Sequence, residues 1–418
     1  MNMKKYLFKI LRTFLILVIV AICVINYSLY SRTRFQQNTS SPYNLDVVYQ
    51  LNFLKAKIDE GEAIKMQQQF PEGFVFFYAM YGLAWSELIR NQPDSTDIFK
   101  RGLEEVSLSV DAIFSPQGKR TFTEDLPLKY GAYYRGWSNY LLAQKLKLTK
   151  ASNRKMIDVE RYQRNCREIA KAMEKSESPF LESYAGSSWP ADMMVAVASV
   201  HAAKGILDTS YDKEVANWLE EVKKHLDPDG FIPHSTNTDG RVIENARGSS
   251  QALMLNFLVE MDSVLAKEQY QRFLDVFVEK HLGLQALREY PSDVVGQKGD
   301  IDSGPVIWDV GTVATIVGQH TYGKFGDWSR YQETKKCLDV IGLGYTSQKQ
   351  KKYLLGAFPM ADVFLAWSNA LEPVNLKDKV TTPWRWKFQL ISLALLLFLL
   401  FLLYLTFRKF QTFGKLSS

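Results

Sequence analysis

The residues best suited to chemistry cluster late in the chain. Arg288-Glu289-Tyr290-Pro291 is followed by a glycine-containing loop and then by Asp300-Ile301-Asp302-Ser303-Gly304-Pro305, so acids, an arginine and a tyrosine stand beside one expected helix start. A carboxylic acid in an apolar cavity is pushed into the range of a general acid, while an aspartate at a helix amino end stays ionised. Glu289 is therefore expected as the acid and Asp302 as the base, with Arg288, Tyr290 and Asp300 contacting substrate. The non-catalytic account is that Arg288 and Glu289 form an ion pair and Asp302 caps a helix. Asp300 and Asp302 are also hard oxygen ligands, but two carboxylates are too few to define a cation site, and no metal is expected.

A second group comprises Trp189, Asp192 and the segment Asn245-Ala246-Arg247-Gly248-Ser249-Ser250. Arg247 beside free backbone N–H groups could clamp a carboxylate or phosphate, and the competing account pairs it with Asp192. Glu72, Glu124 and Asp362 occupy comparable positions, where helix capping is the simpler role. Trp85, Trp137, Trp189, Trp308 and Trp367 could line a glycan cleft, with Trp137 and Trp189 as the expected substrate contacts, although large rings also simply fill a wide core. The five histidines form no metal-ligating spacing, and the chain has no P-loop, dinucleotide fingerprint or nucleophile elbow, so no cofactor is implied.

The elements that must position these residues are helical. Segments such as 215–226 and 270–281 put apolar residues at helical spacing, and strand-like alternation is scarce. Six similar helix starts recur roughly every 55 to 60 residues: Pro71-Glu72-Gly73, Pro127-Leu128, Pro190-Ala191-Asp192, Arg247-Gly248-Ser249, Ser303-Gly304-Pro305 and Pro359-Met360-Ala361-Asp362. Proline in a first turn sacrifices no hydrogen bond, and aspartate there complements the helix dipole. The helices that follow are rich in small residues, and more charged amphipathic segments separate them. Six inner and about six outer helices predict an all-α (α/α)6 barrel over residues 43–372. Its parallel inner helices would gather their amino ends around one mouth.

On Tyr78, Tyr81-Gly82-Leu83-Ala84, Tyr134-Arg135-Gly136-Trp137-Ser138-Asn139, Pro190-Ala191-Asp192 and Asp227-Pro228 with Gly230-Phe231, the chain resembles the linalool dehydratase/isomerase-like family of (α/α)6 barrels, neighbours of the six-hairpin glycosidases. The resemblance spans roughly residues 74–327 and implies the fold. It departs at the family's chemistry: Trp137 stands where the dehydratase has a histidine, and the dehydratase's cysteines near residues 189–199 are not matched by Cys166 or Cys337. The terpene alcohol reaction is not expected to carry over.

The two ends read as membrane helices, over residues 13–30 and 388–407. Lys4, Lys5, Lys9 and Arg12 precede the first, and Arg408, Lys409 and Lys415 follow the second, so residues 1–12 and 408–418 are expected in the cytoplasm and the barrel outside it, joined by connectors 31–42 and 373–387. A cleaved signal peptide is the alternative for the first. Residues 1–45 hold six Lys/Arg and no acid, and residues 380–418 hold five and none. Taking these from the net charge of +6 leaves a mildly acidic middle, which argues against a nucleic-acid partner. Cys166 and Cys337 could form one disulfide, which is no scaffold. Two functions fit: a cofactor-independent acid/base hydrolase, lyase or dehydratase acting on an envelope glycan or lipid-linked substrate, or a non-catalytic membrane-tethered module that binds a glycan or holds a partner.

Overall fold

The computed structural model describes residues 2–37, 41–301, 303–376 and 385–415. Six inner helices, Gly73–Ile89, Gly131–Leu148, Pro190–His201, Gly248–Met261, Thr312–Lys324 and Pro359–Ala370, pack each against the next, and the sixth closes on the first. Outside them lie Leu45–Asp59, Asp97–Phe114, Met156–Lys175, Asp212–Lys224, Ser263–Phe277 and Trp328–Ile341. This is the predicted (α/α)6 barrel.

The two layers differ as their sequences require. In the second inner helix every residue from Gly131 to Leu146 is buried, because the helix has neighbours on all sides. The outer helix Asp97–Phe114 buries only one stripe, Phe99, Gly102, Val106, Ser109, Val110 and Ile113, and Thr96 caps it by accepting from the Phe99 N–H. Gly136 lets the second and third inner helices approach: a Cβ there would stand 2.9 Å from the Ala196 nitrogen. Trp85 and Trp137 are fully buried, each stabilising the core by roughly 2–3 kcal/mol through area removed from water.

Five of the six expected starts fall within four residues of an inner helix. The fifth does not. After Ser303-Gly304-Pro305 the chain makes a short hairpin, Val306–Ile307 paired with Val310–Gly311, and the helix begins at Thr312. The β-branched pair Val306 and Ile307 favours extended backbone, and Trp308 and Asp309 turn it at φ of 51° and 65°.

At the ends, Tyr6–Ser28 and Trp386–Arg408 are helices long and apolar enough to cross a membrane, with mean hydropathy of 2.6 and 2.8. They pack against one another, and the Arg12 guanidinium donates to the Thr406 carbonyl at 2.6 Å. The first is joined to the barrel by a buried charge network. Lys336 donates to the Ser31 carbonyl, Lys335 to Thr33 Oγ1 at 3.2 Å, and Asp339 lies 3.4 Å from Lys335, 3.5 Å from Lys336 and 3.9 Å from Lys351. Burial opposes the charge of Asp339, but the three ammonium groups hold its carboxyl far below the usual range. Cys166 and Cys337 are free thiols on different outer helices, so the disulfide they could have formed is not made.

Candidate functional site

The amino ends of the inner helices surround a cavity of about 610 Å³. Its walls are mostly apolar, with Phe76 and Phe364 in ring contact at 5.7 Å on the neighbouring first and sixth inner helices, and Leu253, Ile316 and Val317 from the fourth and fifth. Three carboxylates line it: Glu62, Glu72 and Asp192. Glu62 is tied to Lys65 at 3.2 Å. The other two are held by consecutive residues of one loop. Ser183 Oγ donates to Asp192 Oδ2 at 2.6 Å, and the next residue, Tyr184, donates its phenol to the Glu72 carboxylate. Tyr133 donates to the Glu72 carbonyl at 3.2 Å. Trp189 meets Tyr184 edge-to-face at 5.9 Å and presents part of its ring to the same space. Asp192 and Trp189 are thus where the sequence reading places them, at the mouth, on and just before the third inner helix.

Glu289 lies immediately behind the wall. It is fully buried, and Ser249, which does line the cavity, donates to its Oε1 at 2.6 Å. Its backbone explains why it cannot move away: the Gly248 N–H donates to the Glu289 carbonyl at 2.8 Å, and a Cβ at position 248 would stand 2.0 Å from the Arg288 oxygen. Only glycine permits that approach. Burial raises the Glu289 carboxyl to about 8, partly offset by the Ser249 hydrogen bond and the Arg247 charge. Glu289 is sealed from the cavity, so it does not stand where the acid expected from sequence would act.

Arg247 does not pair with Asp192. Its guanidinium bridges Asp300 and Glu244 and lies over the Tyr290 ring at 5.4 Å. Burial would raise the Asp300 carboxyl, yet the Arg247 hydrogen bond and the Ser303 N–H hold it down at about 2. The pair fastens the loop before the fifth inner helix, and neither residue lines the cavity. Arg288 does not pair with Glu289 either: it is buried, bonds Glu279 at 2.5 Å and lies 3.6 Å from Asp309. Tyr290 donates to the Lys298 carbonyl at 3.4 Å, outside the cavity. Asp302, the expected base, lies outside the described residues.

The tryptophans divide as their surroundings dictate. Trp85 and Trp137 are core, Trp367 stacks on His320 at 3.7 Å, Trp308 is exposed, and Trp189 alone of the five lines the cavity. Asp362 is buried, accepts the Tyr353 N–H at 2.9 Å and is pushed up to about 7 by burial. Glu124 is exposed and bonded by Tyr130 and Lys129.

Sequence reasoning missed Ser183 and Tyr184, because nothing marks a loop serine and tyrosine as carboxylate partners until the helices they approach are known. It also passed over His234, which lines the cavity; burial and the Arg247 charge lower its imidazole to about 3, so it is neutral. All three stand in segments that lead into inner helices, and that position was the available signal. Among the described residues no group of three or more His, Cys, Asp or Glu could hold a metal ion.

No family model matches the chain, and no curated protein matches it. Solved structures do. One is an unsaturated glucuronyl hydrolase variant with the oligosaccharide dGlcA-Glc-Rha-Glc, similar at a TM-score of 0.41 and 11% identity over 88% of this chain and 98% of that one. The closed ring of inner helices, rather than that similarity, defines this protein as an (α/α)6 barrel with an apolar helix at each end.

Proposed function

We propose that the protein is a membrane-anchored enzyme that carries out acid/base chemistry without a cofactor, by hydrolysis or elimination, on an envelope glycan or a lipid-linked saccharide. The observation that carries this reading is the pair of carboxylates, Glu72 and Asp192, held on one cavity wall by the adjacent residues Tyr184 and Ser183. Two carboxyl groups on the same cleft can divide the work: one donates a proton to the departing oxygen while the other, ionised, takes a proton from water or from the substrate carbon. Trp189 offers a ring face for a sugar. Glu289 touches no substrate; as a neutral acid bonded to Ser249 it positions the wall.

The flanking charges support a barrel outside the cytoplasm with both termini inside. The terpene alcohol chemistry of the linalool dehydratase-like proteins finds no support in the residues at this mouth. A non-catalytic binding module is the second reading, favoured by the mainly apolar walls and by the sealing of Glu289.

The test offers the purified full chain a panel of envelope polysaccharides and lipid-linked sugars and follows release by mass spectrometry. The enzyme reading expects product that Asp192→Asn and Glu72→Gln each abolish. Absence of turnover together with binding lost in Trp189→Ala would overturn it in favour of the binding module.

A further inference from the structure

The position of the terminal helices relative to the mouth follows from chain topology. Outer helices run toward the end at which inner helices begin, so the carboxyl end of Trp328–Ile341 lies on the mouth side. The first apolar helix descends along that outer helix. Ser31 is bonded by Lys336, and Leu29 packs in a buried cluster with Cys337, Val340 and Leu284. Ile25, one turn further toward the membrane segment, and Phe388, at the start of the second apolar helix, pack on the same cluster. Moving from Ser31 to Ile25 therefore moves toward Ile341 and the mouth end of the barrel, and the rest of the helix continues in that direction.

A group of large apolar side chains faces outward at that end, although the opposite end also exposes Met156, Ile157 and Val264 where outer helices begin. Leu282, Ile301, Trp308, Leu343, Leu355 and Phe358 are exposed, Trp308 by 78% and Leu355 by 76%. All belong to the two connections that lead into the fifth and sixth inner helices, on either side of the attachment point of the apolar helices. Exposed apolar residues gathered in this way mark an interaction surface, and tryptophan suits the membrane–water interface. Two of them, Ile301 and Phe358, line the cavity as well, so the apolar rim and the apolar cavity walls form one surface.

We propose that the mouth faces the bilayer these helices cross, that the connections carrying Trp308 and Leu355 enter its interfacial layer, and that the cavity takes the apolar chain of a lipid from that bilayer. This rests on the membrane reading above and deepens it: the substrate class becomes a membrane lipid with a sugar head, presented to Glu72 and Asp192 without leaving the membrane. Leu253, Ile316, Val317 and Phe364 supply the walls an acyl or isoprenoid chain would contact.

The experiment reconstitutes the full chain into phosphatidylcholine/phosphatidylglycerol nanodiscs, with Cys23, Cys166 and Cys337 replaced by serine or alanine. Single cysteines at Trp308, Leu355 and, as the control at the opposite end of the barrel, Ile157 carry an environment-sensitive fluorophore. Labels at 308 and 355 are expected to show blue-shifted emission and to be quenched by lipids bearing a shallow nitroxide, while the label at 157 is not. Equal, solvent-like emission at all three sites overturns the membrane-facing mouth. Native mass spectrometry of the same particles is expected to show a retained phospholipid that Val313→Trp, which fills the cavity, expels; a lipid equally retained in that variant overturns cavity occupancy. Insertion and lipid retention without turnover of any lipid-linked sugar would leave this inference standing and refute the enzymatic reading.

Discussion

Replacing Glu289 by glutamine tests the buried acid through its linkage to stability. In the unfolded chain a glutamate titrates near 4.5; in the barrel burial lifts Glu289 to about 8. The folded protein thus keeps a proton that the unfolded chain releases, so this contribution to stability is complete below pH 4.5 and is lost as the pH rises to about 8. At about 1.4 kcal/mol per unit, the loss is about 3 kcal/mol by pH 7 and about 5 kcal/mol by pH 8. Glutamine matches glutamate in size and still accepts from Ser249, but carries no titration. Asp362 and His234 also titrate differently in the fold, and comparison of the two proteins cancels both. The assay is thermal unfolding of the full chain in detergent at half-unit steps from pH 4.5 to 8.5. The wild type is expected to fall relative to Glu289→Gln by roughly 4 °C at pH 7, from the entropy of unfolding a barrel of this size. Profiles that run parallel across the whole range would show that Glu289 is solvated or ionised, and would refute the reasoning.

Other outcomes follow from single contacts. Gly248→Ala forces a methyl against the Arg288 carbonyl and is expected to cost roughly 2–4 kcal/mol, read as a lower denaturation midpoint, while alanine at the open Gly205 is expected to change little. Asp339→Asn leaves Lys335, Lys336 and Lys351 facing one another without their shared anion and is expected to cost about 3–5 kcal/mol; denaturant titration of the full chain measures it. Burial raises the thiols of Cys166 and Cys337 to about 11 and about 12, so neither is expected to react with a thiol reagent at pH 8 until the barrel unfolds.

The fold was readable from sequence because its two signals are periodic. Small residues recur on the inner helices, amphipathic stripes recur on the outer ones, and proline or glycine stands near each inner start. The fifth start was misplaced because Ser303-Gly304-Pro305 carries the same punctuation as a helix start, while the strand preference of Val306 and Ile307 shows only when the two residues are read together. Of the site, Trp189 and Asp192 were legible from their place before and within the third inner helix. Arg247 and Arg288 were not, because an arginine's partner depends on tertiary approach: Glu244 and Asp300 reach the first, Glu279 and Asp309 the second. Glu289 was recognisable as an acid in apolar surroundings, but its depth behind Ser249 is set by the contact of residues 288–289, just after a strand, with Gly248, which no local pattern encodes.

The central claim is that Glu72 and Asp192 perform chemistry on a lipid-linked saccharide at a mouth that faces the membrane. The most direct measurement incubates nanodiscs holding the full chain and a lipid-linked oligosaccharide, and follows the released sugar by mass spectrometry beside Asp192→Asn and Glu72→Gln. The account predicts release by the wild type and none by either variant. Release that persists in both variants would contradict it.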